Sequence, residues 1–235
     1  MNKLLKIMKK HIFKYLIEFL VVVSGIIISL NIEKNKALDY KNDLKDQSLR
    51  RLIKNIEQDI KDSEINKEIY LTGIKACSRL LANSNNLFKN HKDSLGYYLN
   101  AINMSGTIFV DNQEEYLTLR NSGFLELIED DSLVTSIQKK YSHHSFYKSI
   151  ENYIKDINDD LNDVTYSKTS FKAKGKSGVI GNYGSYIHSQ NLTNYDLNII
   201  SRKKDMSIFY LEFIESSIKS DQALIELIKM EIKKN

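Results

Sequence analysis

Few residues in this 235-residue chain have the types and spacings that enzymes use. Gly175-Lys176-Ser177 matches the end of a phosphate-binding loop, but Ser170 stands where that motif needs its first glycine. His143 and His144 are adjacent, so on a helix their side chains would point about 100° apart and would not share a metal ion. These residues therefore predict no enzymatic activity and no bound metal or cofactor.

Two tyrosines flank the histidine pair, and together the four residues could recognise another protein. Tyrosine combines an apolar ring with a polar hydroxyl and is enriched where proteins contact one another. We therefore treat Tyr141, His143, His144 and Tyr147 as a candidate partner surface. The alternative is that the tyrosines are half-buried residues of a helical bundle.

Residues 15–32, YLIEFLVVVSGIIISLNI, form the most apolar stretch of the chain, and no charged residue lies between Phe19 and Leu30. A helix over residues 12–30 would be about 28 Å long, close to the hydrocarbon thickness of a bilayer. The residues that follow offer no pair of small residues typical of signal cleavage. The segment is therefore predicted to be a retained transmembrane signal anchor at residues 15–32.

The distribution of charge predicts the orientation of this anchor. Five of the 34 basic residues, and no acidic one, lie in residues 1–14, so the rest of the chain has 29 basic and 30 acidic residues. Such a balanced body does not indicate nucleic-acid binding. The positive-inside rule places residues 1–14 in the cytoplasm and residues 33–235 outside it. We expect a single-pass protein of the bacterial inner membrane with a periplasmic C-terminal domain.

Polar and small residues within the apolar segment are candidates for contacts inside the membrane. Glu18 could pair with Lys14 one turn earlier, at the headgroup level, or contact another membrane subunit. Ser24, Gly25 and Ser29 supply the small residues at which transmembrane helices approach closely. Both interpretations of Glu18 stay open at the level of sequence.

The chain lacks proline, and apolar residues recur at spacings of three and four, which predicts an all-α fold. The transmembrane helix is expected to continue to about residue 90 and to join an antiparallel bundle of about four main helices. The remaining predicted helices cover residues 95–103 with a cap at Asp93-Ser94, a short helix after Asn112 that ends at Gly123, a long helix from residue 131 or 132 to Val164, and residues 205–233. Residues 165–185 are predicted to be a loop. The single cysteine, Cys77, excludes an intramolecular disulfide and is expected in the core.

Two stretches resemble a bacterial family of single-pass membrane proteins known only as a domain of unknown function. The segment YLIEFLVVVSGIIISLNIEKNK is similar to the family's anchor, although Ile17 and Ser29 replace its usual glycine and alanine and its tail tryptophan is missing. The segment EEYLTLRNSGFLELIEDDSL is similar to the family's central pattern. The resemblance implies one N-terminal span and a helical extramembrane domain, and it implies no activity.

Taken together, the sequence predicts a membrane-anchored helical bundle that acts as an accessory or scaffold of the cell envelope. Its expected partners are the lipid bilayer and either a second copy of itself or another membrane protein. The alternative is a periplasmic ligand-sensing bundle that signals through a membrane partner, because the cytoplasmic part is too short to carry an effector domain.

Overall fold

In a computed structural model, the backbone is described for residues 2–170 and 184–234, and the side chains for the same residues except 2–13 and 144. A single helix, α1 (Asn2–Asn90), contains the apolar segment and continues into the bundle without a break. At 1.5 Å per residue its 89 residues extend about 134 Å. The predicted continuity of the two helical parts is confirmed.

Five further helices follow, joined by short connections and one long one. They are α2 (Lys92–Asn103), α3 (Glu114–Asn121), α4 (Asp131–Ser142), α5 (His144–Lys168) and α6 (Asn194–Ile232), with a 3₁₀ turn over Phe124–Leu127. The described residues contain no strand beyond an isolated antiparallel bridge between Thr169 and Tyr186. The predicted all-α class is confirmed.

Contacts between helices define four antiparallel rods. Lys67 Nζ lies 3.1 Å from Glu215 Oε1, and Lys45 Nζ lies 3.8 Å from Glu231 Oε1, so α1 and α6 run in opposite directions. The α4 and α5 helices together form the third rod, since Lys140 of α4 contacts Asp221 and Lys168 of α5 contacts Asp196 of α6. The second rod consists of α2, an irregular connection and α3, which together run back along α1.

Three apolar layers fill the bundle from the free end towards the end nearest the apolar segment. Leu80, Leu99, Leu161 and Ile200 belong to the first layer, which also contains the buried Cys77. Tyr70, Ile154 and Tyr210 form the centre of the second, and Leu52, Ile137 and Ile228 belong to the third. The predicted core position of Cys77 is confirmed, and burial raises the pKa of its thiol to about 12.

The boundaries of several helices differ from those predicted. The α2 helix begins at Lys92, before the proposed Asp93-Ser94 cap, and α6 begins eleven residues earlier than residue 205, at a capping box formed by Thr193 and Asp196. The long helix expected from residue 131 or 132 is interrupted at His143. Asp130 caps α4 by accepting hydrogen bonds from the backbone N–H groups of Ser132 and Leu133.

The other local predictions concern Gly123, the start of α3 and the loop predicted over residues 165–185. Gly123 adopts the left-handed conformation predicted for it, with φ of 75°. The Asn112 side chain accepts a hydrogen bond from the Glu114 N–H, but the N-cap position of α3 is Gln113, one residue after the predicted one. Most of the predicted loop, including Gly175-Lys176-Ser177, lies outside the described residues.

Gly73 permits the closest approach between α1 and the start of the irregular connection. A Cβ atom at residue 73 would lie 2.0 Å from Ser105 Oγ and 2.4 Å from Ser105 Cβ. Gly73→Ala should therefore destabilise the protein by about 1–3 kcal/mol, as overpacking does. Helix propensity alone predicts the opposite sign, a gain of about 1 kcal/mol. Thermal unfolding of the full chain in detergent, followed by circular dichroism, measures the difference.

Ser105→Gly provides the matched second variant for this test. It removes the two atoms that the new methyl group would meet, so Gly73→Ala should cost much less in that background than in the native one. A stabilising effect of Gly73→Ala in the native background would show that the two helical rods do not approach as described.

Candidate functional site

The connection between α2 and α3, residues 104–113, has no regular secondary structure, and we call it the crossing segment. Buried main-chain groups outside helices need other hydrogen-bond partners. Side chains of α1, α4 and α5 supply them here. The segment also borders three cavities.

Glu151 of α5 is the principal anchor of the crossing segment. Its side chain is 4% exposed, and its Oε1 accepts hydrogen bonds from the Phe109 N–H (2.5 Å) and the Tyr210 hydroxyl (2.6 Å). Lys148 donates both to Glu151 Oε2 (2.9 Å) and to the Phe109 carbonyl (2.6 Å). The buried carboxylate is therefore balanced by one ammonium group and two neutral donors.

Further hydrogen bonds hold the two ends of the segment. Asn112 N–H donates to Asp59 Oδ1 (3.1 Å), and its carbonyl accepts from the Tyr141 hydroxyl (3.4 Å). Nearer α2, the Tyr70 hydroxyl donates to the Thr107 carbonyl (3.3 Å). The segment is thus fixed from both α1 and α4.

Asp59 belongs to a buried ionic cluster with Lys140 and Asp221. Lys140 Nζ lies 3.0 Å from Asp59 Oδ2 and 2.8 Å from Asp221 Oδ2, and all three side chains are less than 10% exposed. Burial raises the pKa of both carboxyl groups, against the opposing effect of Lys140. Burial alone would lower the pKa of Lys140, but the two carboxylates outweigh it and raise that pKa.

A cavity of about 350 Å³ lies beside this cluster, between α4, α5 and α6. Its walls combine the charged groups of Lys139, Lys140 and Asp221 with aromatic rings and with hydroxyl groups of α6. The aromatic and hydroxyl-bearing residues include Phe109, Tyr147, Phe213, Ser216, Ser217 and Ser220. Such a mixture of oriented polar groups and aromatic surface suits a small polar ligand.

On another side of the crossing segment, apolar side chains are exposed. Ile65 of α1 and Met104 border a second cavity of about 520 Å³, and both are more than half exposed. Ile108 and Val110, further along the segment, are also more than 60% exposed. Several exposed apolar side chains on one short segment mark contact sites more often than a single exposed residue does.

The predicted residues of the apolar segment lie on an exposed part of α1. Lys14 Nζ is 3.7 Å from Glu18 Oε1, the pair expected for an interfacial carboxylate, and both side chains are more than half exposed. A Cβ atom on Gly25 would meet no atom within 4 Å. Ser24 and Ser29 are likewise exposed. Within the described residues the bundle does not cover these positions.

The residues of the candidate partner surface do not lie together on the outside of the protein: some are buried and some are exposed. Tyr141 is 7% exposed and stacks on Tyr116 with ring centroids 4.3 Å apart, so its ring cannot face a partner. His143 is exposed at the break between α4 and α5, and it lines the cavity together with the half-buried Tyr147. The side chain of His144 lies outside the described ones. His143 and Tyr147 thus join a site that the sequence presented as an outer surface.

The buried ionic residues were not identified from sequence, although a signal for them exists. Leu52, Ile56, Asp59 and Ser63 follow one another at spacings of four, three and four, and all are buried on one face of α1. On α6, the same rhythm places Asp221 three residues after Ile218 and four before Ile225. A charged residue that falls in an apolar three-four register is a candidate for a buried ionic contact.

Searches for similar proteins gave no match. No family model, no curated protein and no solved structure matches the chain. Among residues 14–143, 145–170 and 184–234, no group of three His, Cys, Asp or Glu side chains could hold a metal ion.

Lys140 offers a direct test of the ionic cluster. Lys140→Met would leave Asp59 and Asp221 buried without their counter-ion, so we expect a loss of about 3–5 kcal/mol in the free energy of unfolding at neutral pH. Chemical denaturation of the full chain in detergent measures this loss. The exposed neighbour provides the control, since Lys139→Met should change stability by less than about 0.5 kcal/mol.

The pH dependence of the same variant distinguishes lost charge pairing from lost packing. The pKa values of Asp59 and Asp221 are raised in the folded state, so protonation favours folding, and removal of Lys140 should raise them further. The deficit of Lys140→Met should therefore shrink as the pH falls from about 7 towards about 4. A deficit that is constant over this range would contradict the charged cluster.

Proposed function

We propose that this protein is a single-pass, membrane-anchored accessory or scaffold protein of the bacterial cell envelope, which acts through protein contacts and not through catalysis. The observation that supports this most is that α1 contains both an exposed apolar segment and one rod of the bundle. The described residues contain one helix long and apolar enough to cross a membrane, with a mean hydropathy of 2.2 over its best window. That window is not buried, and the same helix then forms one rod of the bundle.

The geometry of α1 is compatible with a bundle held near a membrane surface. From residue 14 onward, Lys45 is the first buried residue, and it lies about 20 Å along the helix from Ile32 at the end of the apolar segment. Tyr15 and Tyr40 are separated by about 38 Å along the helix, similar to the 40–45 Å thickness of a bilayer with its headgroups. Exposed tyrosines at such positions suit the two membrane interfaces.

The exposed apolar side chains around the crossing segment support a role in protein contact. A photo-crosslinking amino acid at Ile108 should capture a second copy or another membrane protein in intact cells. The same amino acid at Asp159, an exposed position on α5, should capture little. Absence of any crosslink at Ile108 would count against the scaffold proposal.

The orientation has its own test. A reporter that is active only in the periplasm, fused after Asn235, should be active in cells, because the five lysines of residues 1–14 favour a cytoplasmic N-terminus. The same reporter fused after Lys14 should be inactive. Inactivity of the C-terminal fusion would contradict the proposed topology.

A ligand-sensing function is the second candidate, and the cavity between α4, α5 and α6 favours it. A ligand bound there would contact the rod of α4 and α5, the α6 rod and the crossing segment, and it could alter how α6 packs on α1, which contains the proposed membrane segment. In a thermal-shift screen of the full chain in detergent, a true ligand should raise the unfolding temperature of the native protein. It should not do so for Ser217→Phe, which fills the cavity, whereas the exposed Ser149→Phe should respond normally. No response to any compound would argue against sensing.

A further inference from the structure

Lys203 is a buried lysine for which the described residues supply no counter-ion. The residue is 0% exposed, and its Nζ donates one hydrogen bond, to Asn158 Oδ1 at 2.6 Å. The face of the Tyr70 ring lies 5.8 Å from Nζ. Burial lowers the pKa of Lys203 to about 8, an effect that Cys77 partly opposes. An ammonium group can donate three hydrogen bonds, so this one has capacity for further acceptors.

The hydrogen bond to Lys203 also fixes how Asn158 presents its amide. Because Oδ1 accepts from Lys203, the Nδ2 group of Asn158 faces the other way, towards Gly106. An atom in the position of a Cβ on Gly106 would be 2.6 Å from Asn158 Nδ2 and 3.9 Å from Lys203 Nζ. These distances place the amide donor beside the Gly106 Cα, with the cation behind it, so an acceptor oxygen resting against that Cα would approach both.

A surface cavity opens at this position. It has a volume of about 460 Å³, and Gly106, Thr107, Lys155 and Asn158 are among the residues that line it. The Thr107 Oγ1 atom is buried and makes no hydrogen bond among the described residues. Glu151 also lines the cavity, but its carboxylate is already occupied by Lys148, the Phe109 N–H and the Tyr210 hydroxyl.

We propose that Lys203, Asn158 and the Gly106–Thr107 segment form a binding site for a small oxyanion, a carboxylate or a phosphate, which enters over Gly106. The bound oxygen accepts from Asn158 Nδ2 and offsets the charge of Lys203, which lies behind the cavity wall and does not itself line it, and Lys155 adds a second positive charge at the entrance. Glycine at position 106 is needed because a Cβ atom there would lie 2.6 Å from Asn158 Nδ2 and would push the amide donor away from the bound oxygen.

The position of the site favours a soluble anion over a lipid headgroup. Tyr70, which faces Lys203, lies about 57 Å along α1 from Ile32. If the apolar segment spans a membrane, as proposed above, headgroups cannot reach this height. Binding of the free anion does not depend on that anchor, so failure of the topology test would leave the site intact.

Isothermal titration of the full chain in detergent tests the proposal, with inorganic phosphate and acetate as probes against chloride at equal ionic strength. At least one probe should bind and should raise the unfolding temperature. Binding of phosphate alone identifies a phosphate site, and binding of acetate alone identifies a carboxylate site. If neither differs from chloride, the proposal is overturned.

Asn158→Asp gives the decisive variant, because it keeps the side-chain shape, pairs with Lys203 and repels an anion. We expect at least tenfold weaker binding with a fold that is as stable as the native one or more stable. Asn162→Asp, one turn along the same helix, adds the same charge away from the cavity and should bind normally. Gly106→Ala should also weaken binding. Retention of native binding by Asn158→Asp would overturn the site even if a probe binds.

Discussion

The polar main chain of the crossing segment imposes the central constraint on this bundle. A second rod made of one continuous helix would satisfy its own hydrogen bonds, but residues 104–113 cannot, so neighbouring helices must carry buried polar groups. Glu151 and Asp59 accept from its N–H groups, and each carboxylate then needs a cation. Lys140 serves Asp59, and Asp221 balances Lys140 from the fourth rod. One irregular connection thus determines charged residues on four of the helices.

Whether a feature depends on local residues or on tertiary contacts explains which parts of the fold could be predicted from sequence. The all-α class and the length of α1 follow from apolar periodicity and the absence of proline, which act locally. The break at His143 could not be predicted in this way, because neither glycine nor proline marks it and helix-compatible residues continue on both sides. The early start of α6 was obscured by its polar first turns, where Asp196 and Lys203 are buried against other helices. Tertiary contacts, which a single sequence does not reveal, decide these boundaries.

The candidate sites also depend partly on local sequence and partly on tertiary contacts. His143 and Tyr147 were singled out by residue type, but their position beside a cavity depends on how three helices meet. Glu151, Asp221 and Lys203 lie within helical registers that are otherwise apolar, and this was the available signal. Residue type identifies candidates for chemistry, whereas register indicates which charged side chains are enclosed. The charged groups enclosed in this bundle therefore indicate the candidate sites better than those on its surface do.

The unbroken course of α1 from the apolar segment into the core has a geometric consequence for the residues between them. In a continuous helix each residue advances the side-chain direction by about 100°, so the number of residues between Ile32 and Lys45 sets the rotation of the bundle about the axis of the segment. Adding or removing a single residue there would turn every face of the bundle by more than a quarter of a revolution. The number of residues in this short stretch therefore determines which face of the bundle is presented to a neighbour of the apolar segment.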